Sequence, residues 1–236
     1  MDFVEGEILA FDKPLHWTSF DVVAKVRRTL CRCLGQKKLK VGHSGTLDPL
    51  ATGVVIICTG KKTKLIEQLQ YDTKEYIATM QLGATTPSYD MEHPVDKTYP
   101  TAHITRTLID QTLPQFIGEQ WQVPPMYSAV SINGKRAYEI ARKGETVELK
   151  PKLLVIDEIE VLSFDAEKMW LTIRVVCSKG TYIRALARDI GERLQSGAFL
   201  TALRRTRVGN TRVEDCNQID SFLQTIEQTY HTTAIG

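Results

Sequence analysis

The segment GHSGTLDPLATG, residues 42–53, is followed directly by the apolar run VVIIC, residues 54–58. Three glycines and Pro49 surround one carboxylate, that of Asp48. A proline restricts the residue before it to extended conformations, and glycines permit left-handed backbone. The uninterrupted apolar run is typical of a strand that is covered on both faces. The segment therefore predicts a rigid loop that holds Asp48 in place and leads into a buried strand.

Taken by itself, this loop favours a structural interpretation, in which the side chain of Asp48 caps the backbone of a tight turn. Phosphate binding is a second interpretation, because glycines line many phosphate sites. The P-loop pattern G-x-x-x-x-G-K-[ST] is absent, however, both from residues 42–53 and from TGKKTK at residues 59–64. We therefore set phosphate binding aside.

The composition is that of an ordinary globular protein, with 236 residues, 42% hydrophobic residues and a net charge of +2. This length allows one large domain or two small ones. Lysine and arginine collect in residues 25–40, 135–152 and 179–212. An RNA ligand needs such a local basic face rather than a high overall charge, so the total charge neither supports nor excludes RNA binding.

The sequence indicates no metal site, disulfide framework or membrane attachment. Its five cysteines are an odd number without a C-x-x-C pair, and its five histidines lack ligand spacing such as H-E-x-x-H. Residues 1–14 are acidic where a signal peptide would be basic and then apolar, and no apolar run is as long as a membrane span. We expect a cytoplasmic protein with reduced thiols.

Hydrophobic periodicity predicts strands and helices that are mixed without strict alternation, which favours an α+β fold. Thr18 or Ser19 is expected to cap the first helix and Gly35 to end it, and Asn133-Gly134 indicates a hairpin turn. A long surface loop is expected at residues 86–101. Predicted strands are residues 6–11, 54–58, 74–83, 128–138, 153–164 and 168–177, and predicted helices are residues 18–35, 104–113, 181–197 and part of 218–236.

A second informative segment is CSKGTYIRALARDIGERL, residues 177–194. A glycine-containing turn between a strand and an amphipathic helix would place Tyr182 and Arg184 near the start of the helix. By itself Arg184 is most simply a solvated surface charge. If it met Asp48, the pair would hold the carboxylate ionised and oriented, because a close opposite charge favours the charged form.

Taken together, these segments resemble the TruB family of bacterial tRNA pseudouridine synthases. The loop that contains Asp48 is similar to the family's catalytic signature. The resemblance runs from about Ile8 to Gly209 through several ordered motifs. The other motifs are FDKPLHWTSFDVVAKVR (residues 11–27), KEYIATMQLG (74–83), VPPMYSAVSINGKRAYEIARKG (123–144), CSKGTYIRALARDIGERL (177–194) and LTALRRTRVG (200–209).

The resemblance implies isomerisation of uridine to pseudouridine at position 55 in the T loop of tRNA, without a metal or organic cofactor. It implies a pseudouridine synthase fold, which is α+β with a mixed, mostly antiparallel central sheet and flanking helices. Asp48 would be the catalytic nucleophile, Tyr76 would stack on the target base, and Arg184 would pair with Asp48. Implied substrate-binding residues are His43, Tyr76, Tyr182 and Leu203.

The resemblance also shapes the expected organisation and partners. We expect residues 1–236 to form a single catalytic domain with a short C-terminal helix and without the PUA domain that many family members carry. The expected partner is the tRNA T-arm stem-loop, with no obligatory protein partner, and the protein is expected to be a monomer. Candidate contacts to the RNA backbone are Lys135, Arg136, Arg204, Arg205 and Arg207.

Without the resemblance, the sequence pattern favours structural rather than functional roles for several of these residues. Tyr76 would be a buried strand aromatic, His43 a loop residue bonded to nearby backbone, and Leu203 a core residue. Only the joint match of the motifs favours functional roles for them. Lys13 and Pro14 are expected to shape the site rather than to perform chemistry.

Two other functions stay open at this point. One is a related RNA-guided enzyme of the dyskerin type, and the expected absence of a PUA domain argues against it. The other is an RNA-binding or RNA-folding module that does not catalyse, and the set Asp48, Tyr76 and Arg184 argues against a purely structural action. RNA folding could still coexist with catalysis.

Overall fold

The structure of the protein is a computed structural model that describes residues 1–132 and 134–233. It divides into two compact units. The first unit contains residues 1–74 together with the segment that begins at Arg204, and the second runs from Glu75 to Leu203. Two strands of the central sheet have residues in both units, and the expectation of a single catalytic domain stays a prediction.

The first unit is built on strands that pair around β3. In hydrogen-bonded order its strands are β1, β3 and β12, with β2 also pairing with β3, and β13 with β12. The pairs β1–β3, β2–β3 and β12–β13 are antiparallel. Its elements are β1 (Ile8–Lys13), α1 (Ser19–Cys33), β2 (Val41–Ser44), β3 (Ala51–Thr59), α2 (Ile66–Leu69), the start of β4 (Lys74–Leu82), the end of β12 (Ala198–Val208), β13 (Thr211–Arg212) and α6 (Ile219–Thr233).

Helix α1 forms where the sequence predicts it. Thr18 is the N-cap, and its side chain exchanges hydrogen bonds with Asp21 in a capping box. Gly35 follows the helix with a φ of 62°, a left-handed conformation that glycine adopts readily. Apolar side chains on one side of the helix, Val22, Val23, Val26 and Leu30, are buried. Lys25 and Arg32 form ion pairs with Asp220 and Glu227 of α6.

The second unit contains both helices and strands. Its hydrogen-bonded strand order is β12, β4, β11, β10 and β7, and the pairs β10–β11 and β7–β10 are antiparallel. Besides its parts of β4 and β12, its elements are β5 (Ala84–Thr85), β6 (Lys97–Thr98), α3 (Arg106–Thr112), β7 (Gly118–Gln122), β8 (Ser131–Ile132), β9 (Lys135–Arg136), α4 (Ala137–Ala141), β10 (Lys152–Asp165), β11 (Trp170–Cys177) and α5 (Ile183–Arg193).

The core of the second unit follows from alternation along its strands. Along β4, Ala78 and Met80 are fully buried while Ile77 between them is exposed, as a strand with one covered face requires. In β11, Leu171 and Ile173 are buried in the same way. Helix α5 is largely buried. Its buried residues are Ile183, Arg184, Ala185, Leu186, Ala187, Ile190 and Gly191.

The predicted fold class, α+β with a mixed and mostly antiparallel central sheet, is confirmed. The predicted hairpin is present as the pair β8–β9, but it is shorter than residues 128–138, and Asn133 lies outside the described residues. Most of the segment 86–101 is exposed, as expected of a surface loop, but its first part is not. Ser88 and Asp90 are buried within it, and β5 pairs with β6 across it.

At one position within residues 42–53, close packing of the backbone requires glycine. Gly53 has a φ of 109°, and a Cβ at this position would lie 2.1 Å from the carbonyl oxygen of Arg205. Since that neighbour is backbone, it cannot move aside as a flexible side chain would. Gly53 therefore allows the start of β3 to approach β12 closely.

We expect Gly53→Ala to lower the free energy of unfolding by roughly 3 kcal/mol or more, because it combines a left-handed backbone with a backbone clash. Gly35→Ala is the matched control, since Gly35 also has a positive φ (62°) but has no atom within 4 Å of the added Cβ. It should cost only about 1 kcal/mol, the penalty for the left-handed conformation. Urea denaturation of both variants measures the difference, and equal losses would contradict this explanation.

Candidate active site

Asp48 lies in the loop between β2 and β3, which we call the Asp48 loop (residues 45–50). Its side chain is partly exposed, and its carbonyl oxygen accepts a hydrogen bond from the amide of Ala51 (3.0 Å). Gly45 opens the loop with a φ of 77°. The loop is therefore a fixed turn in which Asp48 is partly exposed.

The N-terminal segment after β1 holds one side of the Asp48 loop. The amide of Leu47 donates to Oγ of Ser19 (2.9 Å), and Leu47 and Ser19 are both buried. The amide of His16 donates to the carbonyl oxygen of Pro49 (2.8 Å). These two contacts flank Asp48 on both sides in sequence, so they restrict the backbone that carries its side chain.

Arg205 of β12 holds another part of the loop. Its side chain is only 1% exposed, and Nε donates to the carbonyl oxygen of Val54 (2.7 Å). One terminal nitrogen donates to the carbonyl oxygen of Gly45 (3.2 Å), and the other contacts that of Thr46 (3.5 Å). A planar guanidinium with five N–H groups suits such a set of carbonyl acceptors. Arg205 thus connects the first residues of the loop to β3.

Lys13 provides a positive charge near Asp48. It is fully buried, and its Nζ donates to the carbonyl oxygens of Pro14 (2.9 Å) and Trp17 (2.6 Å). Burial lowers the pKa of Lys13 to about 8, and the negative charge of Asp48 opposes this shift. The attraction between Lys13 and Asp48 therefore partly offsets the cost of burying the ammonium group.

His43 of β2 is half-buried beside the loop. Burial, and then the positive charge of Arg205, lower the pKa of its imidazole below the ordinary value, so the neutral ring predominates at pH 7. Within residues 1–132 and 134–230, no group forms a hydrogen bond to the buried Nδ1 of His43 or to Oγ of Ser44. Buried polar atoms without such a partner are uncommon in folded proteins.

In the second unit, Arg184 lies in the first turn of α5, as predicted, and it is buried rather than solvated. Its Nε lies 3.6 Å from Oδ2 of Asp90, and a terminal nitrogen donates to the carbonyl oxygen of Ser88 (3.2 Å). Both side chains of the ion pair are less than one tenth exposed. Asp90 therefore has a definite structural role.

The other predicted substrate-binding residues occupy the positions that their motifs indicate. Tyr76 is on β4 and is 8% exposed. Tyr182 is the N-cap of α5, and its amide donates to Oε1 of Gln122 (2.9 Å). Leu203 is half-buried on β12. Asp48 belongs to the first unit and Tyr76 and Arg184 to the second, so the pairing of Asp48 with Arg184 stays a prediction.

The predicted RNA-backbone contacts differ in exposure. Lys135 and Arg136 are exposed on β9. Arg204 is partly exposed and forms an ion pair with Asp12 (2.8 Å). Arg205 requires a correction: its burial and its bonds to loop carbonyls argue against a phosphate contact and indicate support of the Asp48 loop. In the part of the chain that the structure describes, no cluster of three or more His, Cys, Asp or Glu residues could hold a metal ion.

Comparison with known proteins decides the family. Residues 31–183 match the model of the TruB family pseudouridylate synthase N-terminal domain, and residues 184–234 match that of the tRNA pseudouridylate synthase B C-terminal domain. The chain belongs to the TruB family. It is 65% identical over 228 residues to the tRNA pseudouridine synthase B of Phocaeicola vulgatus, covering 97% of this chain and 96% of that protein.

A second relative of the same family, the tRNA pseudouridine synthase B of Bacteroides thetaiotaomicron, is 65% identical over 230 residues, again with 97% and 96% coverage. Among solved structures, the chain is similar to that of a Cbf5-Nop10-Gar1 complex, with a TM-score of 0.68 and 28% identity. That match covers 94% of this chain but 54% of the other, so the chain spans about half its length.

Sequence analysis did not predict the role of Arg205. It was expected to contact the RNA backbone, but it supports the Asp48 loop instead. Arg204 and Arg205 are adjacent basic residues, and the sequence offers no obvious reason to treat them differently. What distinguishes them is that neighbouring residues of a strand point to opposite faces: in β12, Arg205 is buried while Arg204 is more exposed. Recognising residues 198–208 as a strand would have shown that successive arginines point to opposite faces.

We expect Arg205→Met to lower the free energy of unfolding by about 3 kcal/mol, because the buried carbonyl groups of the loop and of β3 lose their donor. Arg204→Met is the matched control. Its side chain is 41% exposed in an ion pair, so its loss should cost about 1 kcal/mol. Denaturant unfolding of the two variants gives both values. A larger loss for Arg204→Met would contradict the role assigned to Arg205.

Proposed function

We propose that this protein isomerises uridine to pseudouridine in tRNA. The proposal rests on one observation: Arg205 and the N-terminal segment hold the loop of the partly exposed Asp48 in a chain of the TruB family. Relatives that are 65% identical over nearly their whole length are tRNA pseudouridine synthases by name. Family membership and the geometry of the loop thus support the same chemistry.

The finer proposal is that the target is uridine 55 in the T loop and that Asp48 is the nucleophile. In this reaction the bond between N1 of uracil and C1′ of ribose breaks, and a bond between C5 and C1′ forms. The proton on C5 is lost and N1 gains one, so substrate and product are isomers. A carboxylate can promote such a step without a general base, and the buried Lys13 supplies a positive charge near it.

The target base must leave its stack before it can react, which costs a few kcal/mol. We propose that Tyr76 stacks on the flipped base, which would recover about 1 to 3 kcal/mol. Arg184 would orient Asp48. His43, Tyr182 and Leu203 would bind the uridine.

For the protein as a whole, we propose that both units act as one catalytic domain on the T arm, as a monomer without an obligatory protein partner or cofactor. Lys135, Arg136 and Arg204 remain candidates for phosphate contacts. Among the described residues, none of the helices combines the length and apolar character needed to cross a bilayer. We propose that the protein acts in the cytoplasm.

An RNA-guided function is the second candidate, because the chain resembles a Cbf5-Nop10-Gar1 complex in structure. One observation favours the stand-alone function. The sequence identity to that solved chain is 28%, against 65% to the tRNA pseudouridine synthases. The two functions predict different requirements for a guide RNA.

We expect the purified protein to convert one uridine of an unmodified T-arm stem-loop without any added factor, and Asp48→Asn to abolish conversion while retaining RNA binding. The variant keeps the size of the side chain and removes its charge. Asp157→Asn is the control, since it removes the same charge from an exposed position on β10. Mapping of pseudouridine after incubation, with a filter-binding assay, measures both properties.

The outcomes separate the candidate functions. Product at the T-loop uridine with wild type and Asp157→Asn, and none with Asp48→Asn, supports the proposal. Product that forms only when a guide RNA particle is added would favour the RNA-guided alternative. Tight binding without product under every condition would favour a non-catalytic RNA-binding protein.

A further inference from the structure

A chain of polar contacts extends behind the buried ion pair of Arg184 and Asp90. Oγ of Ser88 donates to Oδ1 of Asp90 (2.6 Å), and Nδ1 of His93 lies 3.0 Å from the same Oγ. Ser88 is fully buried and Asp90 nearly so, while His93 is half-buried. His93 therefore reaches the carboxylate of Asp90 through one hydroxyl group.

The direction of these hydrogen bonds follows from the chemistry of the groups. A carboxylate that faces an arginine can only accept, so the single hydroxyl proton of Ser88 is committed to Asp90. The bond between Ser88 and His93 must then be donated by Nδ1–H of His93. Both the Nδ1–H tautomer and the imidazolium can supply this donor. The geometry thus requires a proton on Nδ1 but no positive charge.

Through the hydroxyl group of Ser88, the Nδ1–H group of His93 fixes the orientation of Asp90. Oδ1 accepts from Ser88 and from the amide of Glu92 (3.0 Å), which leaves Oδ2 to face Nε of Arg184. The carbonyl oxygen of Ser88 also accepts from Arg184. Ser88 therefore contacts both members of the ion pair, and any rotation of its hydroxyl group weakens the arrangement around the guanidinium.

The ring of His93 is held by an aromatic neighbour. Its centroid lies 4.4 Å from that of Tyr127, with an angle of 51° between the planes. Such a contact restricts the ring and so keeps Nδ1 directed at Ser88. The ring contact and the hydrogen bond are separable, because phenylalanine can keep the first and cannot form the second.

We propose that His93 is a positioning residue for Arg184, acting through Ser88 and Asp90. The inference rests on the proposed function, in which Arg184 orients the nucleophile Asp48. His93 itself touches neither substrate nor the reacting atoms. Its role is to donate the hydrogen bond that keeps the hydroxyl of Ser88, and hence the carboxylate of Asp90, in one orientation.

The test compares His93→Phe with His93→Asn in steady-state conversion of a T-arm stem-loop RNA. Phenylalanine keeps an aromatic ring against Tyr127 but lacks the donor, and asparagine places an amide N–H near the position of Nδ1. We expect His93→Phe to lower kcat about threefold to tenfold with KM unchanged, the size of effect typical of one hydrogen bond. His93→Asn should stay within about twofold of wild type, because it restores the donor.

A double variant tests the route of the effect. If His93 acts through Ser88, then Ser88→Ala with His93→Phe should lower kcat no further than Ser88→Ala does alone. Independent effects that multiply would overturn the proposal, as would a fully active His93→Phe or a His93→Asn as impaired as His93→Phe. A wild-type protein that forms no pseudouridine would instead refute the proposed function, so the two failures are distinguishable.

Discussion

The hydrogen bonds from the buried guanidinium of Arg205 to main-chain carbonyl groups are the contacts on which the candidate active site depends. A buried charge is costly unless polar partners satisfy it, and Arg205 finds them in the carbonyl oxygens of Gly45, Thr46 and Val54. One side chain on β12 thus joins the beginning of the Asp48 loop to β3. Loop and sheet cannot shift independently without leaving this charge unsatisfied.

The backbone of the same residue fixes the far end of the segment, because Gly53 packs against it too closely for any side chain. Between these two points, Ser19 and His16 bind the amide of Leu47 and the carbonyl oxygen of Pro49. Glycine and proline in the sequence therefore serve a single purpose. They allow a short loop to be held at several points while Asp48 stays partly exposed beside the charge of Lys13.

Much of the fold could be predicted because its main elements carry local signals. The uninterrupted apolar run of β3 and the capped helix α1 are examples, and both are confirmed. β12 lacks such a signal, since its arginines obscure the alternation that a strand would show. β7 was missed as well, because its polar sequence GEQWQ lies at the edge of the strand order and buries little apolar surface.

The candidate site was only partly predictable, for a related reason. Motifs identify residue types such as Asp48 and Arg184, but they do not reveal which neighbours hold those side chains. The burial of Arg205 and the contact of Asp90 with Arg184 depend on residues that are distant in sequence. Long-range contacts of this kind become visible only when the chain is folded.

The central claim is that the Asp48 loop is already rigid before RNA binds. Hydrogen exchange of its amides in the free protein tests this most directly, with Leu47 and Ala51 as the informative positions because both donate within the structure. The account predicts exchange that is much slower than in an unstructured peptide and that changes little when a T-arm stem-loop is added. Exchange as fast as in an unstructured peptide, with protection only after RNA is added, would contradict it.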